Sequence, residues 1–303
     1  MKTFFEGQQK FLEKFVLYKK NNSDLDGFSY CSLISNSVGA QFFRLKEYGL
    51  EYLFSFIKEY FKEIFSLGFI KEIKSCSNSF KDNPNIILTW GFKRDFKKYY
   101  FDKYFQINSK KNKKFKWVIL YMSNELPKNV EKNIFLIQIL RSKYFNPVLM
   151  IKNILFVFLK NKLSLIKFFK NLSSQYILST LFEEQFKKNV KIKNIKNLLM
   201  PYEGQLFQKK IIKTVKFFSP NSKIVGYDHT APQPLPINLF CDKNSPDLLL
   251  VGSRNKMNFH TKFLNWKKKS LKIKNSYRFK KDQATFSSKI YLPYIIEDTK
   301  KYL

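Results

Sequence analysis

Cysteine and histidine are scarce in this chain of 303 residues. Its three cysteines stand far apart and form no CxxC pair, and only two histidines, His229 and His260, are present to join them as metal ligands. Structural zinc sites and disulfide frameworks need such residues in close, repeated spacing, so the sequence argues against both. This sparse use of cysteine is typical of proteins in a reducing cytoplasm. The cysteines are Cys31, Cys76 and Cys241.

Arginine and acidic residues are also few, so lysine dominates the charge. Lys and Arg total 56 against 23 acidic residues, which gives a formal charge of +33, yet only five of the 56 are Arg. An AT-rich genome enriches lysine together with Asn, Phe, Ile and Tyr, and this bias explains much of the charge; attraction to an anionic partner is the second explanation. Nucleic-acid surfaces rely on Arg for bidentate contacts, so nucleic acid is a disfavoured partner.

Long apolar runs are missing as well. None reaches the roughly 18 to 20 residues that a membrane-spanning helix needs. Acidic residues interrupt the N-terminal segment MKTFFEGQQKFLEKF, so we expect no secretion signal. The longest apolar segment, residues 147–159, is broken by Lys152 and continues into the lysine-containing KNKLSLIKFFKNL. Two interpretations stand: a core-facing helix with a lysine-covered outer face, or a helix that lies on an anionic membrane surface.

The short motifs of several common enzyme classes are absent from the sequence. It contains no GxGxxG, GxxxxGK[ST], GxSxG or HExxH. Dehydrogenases, P-loop kinases, serine hydrolases and zinc proteases of the usual kinds are therefore disfavoured.

What the sequence does contain is a series of predicted helices and strands. The apolar spacing predicts one long amphipathic helix over residues 41–69, ending near Gly68, and strands over residues 85–89 and 116–121. The clearest unit is strand 194–200, helix 204–218 and strand 223–227, followed by a third strand at 247–251. Connections this short predict a right-handed crossover and parallel strands. Such apolar strands also suit a sheet that is covered on both faces.

Polar residues follow each of these three strands, where an open parallel sheet binds its ligands. A carboxylate and an imidazole at neighbouring strand ends can deprotonate a hydroxyl, so His229 is the candidate base and Glu203 its assisting group. Arg254 is a candidate for holding an anion. In chain order the candidates are Tyr202, Glu203, Gln205, Asp228, His229, Thr230 and Arg254.

Each candidate also has a plainer interpretation. Glu203 stands at the start of a helix and would complement the helix dipole. Asp228 would serve as a turn or cap residue, and Arg254 as a helix-start or surface charge. His229 would be an ordinary polar loop residue, and His260 a residue without function inside the next helix.

The segment MPYEGQLFQKKIIKTVKFFSPNSKIVGYDHTAPQPLPINLF, followed by SPDLLLVGS, resembles a recurring pattern of bacterial surface-carbohydrate biosynthesis proteins. These proteins are similar to GT-B-type glycosyltransferases that make capsule and lipopolysaccharide. The resemblance covers residues 195–253 and implies that Glu203 and His229 face the cleft between two Rossmann-like domains. It also implies that a nucleotide sugar is the donor substrate, bound mainly by the C-terminal domain, with no other cofactor and no metal. The chain departs from the pattern at Phe207, where tryptophan is common, and at Asp228, where glutamine is.

Together these features predict an α/β protein with a Rossmann-like parallel sheet flanked by helices, which would be the N-terminal half of a GT-B enzyme. We expect an acceptor-side domain over residues 1–285 and the start of a truncated second domain over 286–303, because a strand predicted at 287–296 is followed by only seven residues. The expected activity is transfer of a sugar to a glycan or lipid-linked acceptor, in the cytoplasm and peripheral to the inner membrane. A nucleic-acid-binding protein, prompted by the charge and the 18% aromatic content, and a non-catalytic scaffold of a glycan-assembly complex are the alternatives.

Overall fold

A mostly parallel sheet organises the chain. The structure is a computed structural model that describes residues 10–18, 37–76, 85–161, 164–230 and 236–274. Eight of the described strands form one sheet in the order β1-β6-β5-β2-β7-β8-β9-β10, and the short strands β3 and β4 pair separately. The strands are β1 Ile70–Ser75, β2 Asn85–Gly91, β3 Phe101–Asp102, β4 Ile107–Asn108, β5 Lys116–Tyr121, β6 Ile134–Arg141, β7 Asn197–Pro201, β8 Lys223–Tyr227, β9 Leu248–Val251 and β10 Leu271–Ile273.

The strand order changes direction at β2. From β2 the chain moves outward to β5 and β6, then returns to β7 on the other side of β2 and continues to β8 and β9. All of these neighbours are parallel, and only β1 runs antiparallel to its neighbour β6. The six strands β6-β5-β2-β7-β8-β9 thus have the order of a doubly wound, Rossmann-like sheet. The predicted α/β class with a Rossmann-like parallel sheet is confirmed at this level.

Eight helices accompany the sheet in the described residues. Most of the predicted helices and strands are confirmed. Helix 204–218 and strands 116–121 and 223–227 lie within two residues of their predicted bounds. The strand predicted at 287–296 and the proposed domain boundary lie outside the described residues. The helices are α1 at residues 10–18, α2 Val38–Tyr48, α3 Leu53–Ser66, α4 Pro147–Asn161, α5 Leu165–Asn171, α6 Ser174–Asn189, α7 Leu206–Phe218 and α8 Arg254–Phe263.

The prediction of one long helix over residues 41–69 was wrong. Gly49 has φ +98°, a backbone conformation outside the helical region, and its N–H caps α2 by donating to the carbonyl of Leu45 at 3.1 Å. The chain then starts again through a short 3-10 turn into α3, which ends at Ser66, close to the predicted end near Gly68. The apolar periodicity continues through this break because a glycine cap does not change the spacing of the apolar residues on either side, so the sequence pattern did not show that there are two helices.

Different elements cover the two faces of the sheet, as predicted. One face packs against helices, among which α6 and α7 contribute Phe182 and Ile211. The other face packs against the segment between β2 and β5, which contains β3 and β4 and contributes Tyr100 and Tyr104. Helices α3, α4 and α5 form an outer layer that packs on α6 near Ile177. No helix in the described residues combines the length and the hydropathy that are needed to cross a membrane.

Candidate active site at the switch point of the sheet

The predicted pair lies where the strand order of the sheet reverses. Glu203 comes two residues after β7 and His229 two residues after β8, and the last residues of these strands, Pro201 and Tyr227, are register partners. Strand β7 also pairs with β2, so the pair lies at the carboxyl edge beside the β2–β7 switch point. Open α/β sheets bind ligands at this position because the connections on either side diverge and leave a crevice.

Glu203 and His229 face each other at close range. Oε1 of Glu203 lies 3.2 Å from Nε2 of His229. The side chain of His229 is only 3% exposed, whereas that of Glu203 is 24% exposed. Glu203 is therefore the outer member of the pair, and the imidazole lies behind it.

Hydrogen bonds from two other segments fix the position of Glu203. The side-chain amide of Gln205 donates to Oε2 of Glu203 at 2.7 Å, and Nδ2 of Asn238 donates to the Glu203 carbonyl. Oε1 of Gln208 accepts from the backbone N–H groups of both Glu203 and Gln205, each at 3.1 Å. The 236–239 loop and the first turn of α7 thus hold the backbone of Glu203, and Gln205 holds its carboxylate.

Aromatic rings surround His229. The ring centroid of Tyr104 lies 4.6 Å away in an edge-on arrangement, and the rings of Trp90 and Tyr227 lie at 6.1 and 6.0 Å. Nδ1 of His229 is buried and has no hydrogen-bond partner within the part of the chain that the structure describes. The polar contact that the described residues give the imidazole is therefore the one between its Nε2 and Oε1 of Glu203.

A buried carboxylate holds Tyr104 against the imidazole. Oδ1 of Asp102 accepts from the backbone N–H groups of Tyr104 at 2.9 Å and Phe105 at 3.2 Å, and Oδ2 lies 3.3 Å from Nε1 of Trp117. Burial raises the pKa of Asp102 to about 6, although these three donors act to lower it. Asp102 thus anchors the turn between β3 and β4 to Trp117 of β5, and Tyr104 forms one wall of the site.

A cavity of about 210 Å³ opens beside the pair. It extends along the carboxyl edge from the end of β6, past β5 and β2, to the start of α7. Gln205 connects the two sites, because its amide holds Glu203 and its side chain lines the cavity. The lining residues are Trp90, Leu120, Met122, Ile139, Arg141, Gln175, Leu178, Ser179, Phe182, Gln205 and Phe207. Aromatic faces with a few polar groups are typical of small-molecule sites.

Asp228 and Thr230 belong to a separate buried cluster. Oδ1 of Asp228 accepts from Nζ of Lys256 at 2.9 Å and from the hydroxyl of Thr230 at 2.8 Å, and Oδ2 lies 3.4 Å from Nε2 of His260. Burial acts to raise the pKa of Asp228, but the contacts with His260 and Lys256 outweigh it and leave the pKa below its ordinary value. Because the cluster joins the end of β8 to α8, its role is structural.

The remaining two predicted residues lie away from the cavity. Tyr202 is fully buried in the core, with its hydroxyl 3.5 Å from Oγ of Ser245. Burial raises its pKa. Arg254 is exposed at the first residue of α8, in agreement with its interpretation as a helix-start or surface charge.

Four residues of the site were missed from the sequence. Trp90 follows the strand predicted at 85–89, so the rule that directed attention to strand ends could have found it. Arg141 ends β6, an apolar segment that was not predicted as a strand. Tyr104 and Asn238 come from irregular segments with no periodic signal. Their roles depend on the folding of the β3–β4 turn and the 236–239 loop onto the sheet edge.

Comparison with known proteins leaves the site to be interpreted from its own chemistry. No protein-family model matches the chain, and no curated protein matches it significantly. Within the described ranges, no three His, Cys, Asp or Glu side chains converge as metal ligands would.

Proposed function

We propose that this chain is a glycosyltransferase-like protein of surface polysaccharide biosynthesis and forms the acceptor-side α/β domain of a GT-B-type enzyme. It would transfer a sugar from a nucleotide sugar to a glycan or lipid-linked acceptor. The observation that carries the proposal is the 3.2 Å Glu203–His229 pair at the switch point of the sheet, held beside a cavity by Gln205.

The pair is suited to activating a hydroxyl. In sugar transfer, the acceptor oxygen bonds to the anomeric carbon while the bond from that carbon to the nucleotide phosphate breaks and the nucleotide leaves with the electron pair. The hydroxyl proton must go to a nearby base. The sequence predicts His229 in this role, whereas exposure favours Glu203, because its carboxylate is the member that an acceptor can approach. We propose that the two act as one unit, with Glu203 outermost.

The cavity has the chemistry to hold an acceptor sugar. Trp90 and Phe207 offer aromatic surface to the apolar face of a sugar ring, and Gln205 offers an amide to its hydroxyls. Arg141, at the far end of the lining, suits the phosphate of a lipid-linked acceptor because a guanidinium binds phosphate oxygens bidentately. In the GT-B enzymes that the chain resembles, the donor binds mainly to the second Rossmann-like domain.

Transfer assays with substitutions at the pair test this proposal. The protein encoded by the complete gene, with whatever it encodes beyond residue 303, would be incubated with labelled UDP-, GDP- and CMP-sugars and lipid-linked oligosaccharide acceptors, and labelled glycan would be measured. Glu203→Gln and His229→Ala should each lower kcat by about 10²- to 10⁴-fold. Their combination should cost little more than the worse single change, because the residues act together. Glu72→Gln changes an exposed carboxylate on β1 and should leave transfer unchanged.

The pattern of losses also assigns the roles. Loss of transfer in Glu203→Gln with partial activity in His229→Ala would identify Glu203 as the base, and the reverse result would identify His229. Unchanged transfer in both variants would overturn the proposal. An absence of transfer from every donor, with acceptor binding retained, would favour the scaffold role instead.

A further inference from the structure

The outer helical layer exposes an unusual amount of apolar surface. Most of the exposed large hydrophobic side chains in the described residues fall in two segments, 48–69 and 144–171, which contain α3, α4 and α5. Soluble monomers rarely expose contiguous apolar patches of more than a few hundred Å², and larger ones mark interaction surfaces.

On α3 the exposed residues form one stripe. Phe54, Ile57, Phe61 and Phe65 recur at helical spacing, and Phe54 is 78% exposed. The inward side of the same helix packs through residues that include Ile64. This helix therefore has apolar residues on both its inner and its outer sides, which a simple surface helix does not need.

Helix α4 is oriented by a buried amide, which turns its second apolar stripe outward. Nδ2 of Asn153 donates to the carbonyls of Leu67 at 2.8 Å and Ile70 at 3.0 Å. With Asn153 and Val157 inward, the outer side of α4 carries exposed apolar residues together with the exposed lysines Lys152 and Lys160, so it combines features of both sequence interpretations. The residues exposed on α4 include Val148, Ile151, Leu155, Phe158 and Leu159.

The three helices form one continuous surface. Ring contacts link α3 to α5 through Tyr60 and Phe169, with centroids 6.4 Å apart. Phe65 of α3 lies 5.8 Å from Phe145, just before α4, and Phe158 of α4 lies 5.7 Å from a ring of α5. We call this surface, made by the exposed side chains of α3, α4 and α5, the outer helical face.

The charge around the outer helical face is positive. Residues 132–182 contain eight Lys or Arg and no acidic residue. On α3, Glu63 turns inward, where Oε2 accepts from the backbone N–H and the hydroxyl of Ser174 at 2.9 and 2.6 Å. Lys58 and Lys62 of the same helix are exposed, and Nζ of Lys62 lies 3.3 Å from Oε2 of the mostly buried Glu59, so the excess of positive charge comes from the segment that contains α4 and α5. Lysines thus flank the apolar stripes at the solvent boundary.

We propose that the outer helical face docks on an anionic membrane surface, with the three helices lying in the interface. Apolar stripes flanked by lysines are the composition of interfacial helices, because the apolar side chains enter the acyl boundary while lysines reach the anionic headgroups. A second copy of the chain fits less well, since a self-complementary contact would bring lysines against lysines.

The docked face would adjoin the cavity of the candidate site. Helix α4 begins after the carboxyl end of β6, and α3 ends beside the same edge because β1 is antiparallel to β6. Arg141, the last residue of β6, lines the cavity. If the proposed function holds, a lipid-linked acceptor would enter from this side, but docking itself needs no substrate.

Vesicle flotation without substrate tests the docking. Full-length protein would be mixed with vesicles of phosphatidylcholine alone or of equal parts phosphatidylcholine and phosphatidylglycerol, at low and high salt. We expect binding to the anionic vesicles. Phe54→Ser with Ile151→Ser should lower the partition coefficient at least about tenfold. Lys152→Gln and Lys167→Gln should each lower it about fivefold, and only at low salt.

Matched controls separate docking from general stickiness and charge. Phe217→Ser with Phe218→Ser changes two exposed rings at the end of α7, and Lys243→Gln with Lys269→Gln changes two exposed lysines, all outside the outer helical face. These variants should bind like the parent. Equal losses in the control and test variants would overturn the proposal. So would an absence of vesicle binding, or a dimer in light scattering that Phe54→Ser with Ile151→Ser dissociates.

Discussion

Gly204 lies so close to Asn238 that a Cβ atom on Gly204 would stand 1.9 Å from the Asn238 carbonyl oxygen. The φ of Gly204 is +66°, in the left-handed region. The side chain of Asn238 donates to the carbonyl of Glu203, the residue just before the glycine. One close approach therefore joins the 236–239 loop to the segment that carries the outer member of the candidate pair.

Replacement of Gly204 by alanine should damage both stability and the site. We expect Gly204→Ala to lower the free energy of unfolding by at least about 2 kcal/mol, because left-handed backbone strain adds to the clash with Asn238. Urea unfolding would measure the loss. Gly252→Ala is the control, since a Cβ there meets nothing within 4 Å, and it should stay within about 0.5 kcal/mol of the parent. Equal effects of the two changes would contradict this account of the turn.

Five strands of the central sheet, β2, β5, β7, β8 and β9, and the Glu203–His229 proximity could be predicted because they follow from local rules. Short apolar runs marked the strands, and short connections implied parallel neighbours. Residues at the same distance past two adjacent parallel strands must then be close, so the pair followed from the positions of β7 and β8.

The walls of the site could not be predicted in the same way. Tyr104 reaches His229 because Asp102 anchors an irregular turn to Trp117, a contact between segments that no periodic pattern connects. Asp228 was placed with His229 because it is its neighbour in sequence, yet its side chain turns to α8. Adjacent residues at a strand end point in different directions, and tertiary partners decide which of them faces the crevice.

The Asp228 cluster should matter for stability more than for substrate. The Asp228 side chain is 1% exposed and that of Lys256 is 13% exposed. Lys256→Met would strand a buried carboxylate and should cost about 3 to 5 kcal/mol of unfolding free energy, whereas Asp228→Asn leaves a lysine that can turn to solvent and should cost about 2 kcal/mol. Urea unfolding would rank the two. KM for the acceptor should remain at the parent value in Asp228→Asn, and a large rise would return Asp228 to the binding site.

The same cluster should also shape the acid response. The folded pKa of Asp228 lies below its ordinary value of 3.8, so its contribution is present above that value and is lost as pH falls through the folded pKa. Asp228→Asn should remove this part of the acid destabilisation, measured as unfolding midpoints on acid titration. If the loss of stability at acid pH were the same in Asp228→Asn as in the parent, other carboxylates would account for that loss.

Lys210 gives the opposite pH dependence. It is buried on α7 with Nζ 3.7 Å from the ring centroid of Tyr176, and burial lowers its pKa from 10.5 to about 7 despite the nearby Glu183. Above pH 7 the unfolded chain keeps a proton that the folded chain releases, so this lysine makes stability rise with pH, by at most about 1.4 kcal/mol per unit. Lys210→Met should remove that slope in urea midpoints between about pH 7 and pH 9, below the range where tyrosines titrate. Lys213→Met, at an exposed position three residues away, should keep it. Parallel profiles for Lys210→Met and the parent would show that Lys210 stays charged in the fold.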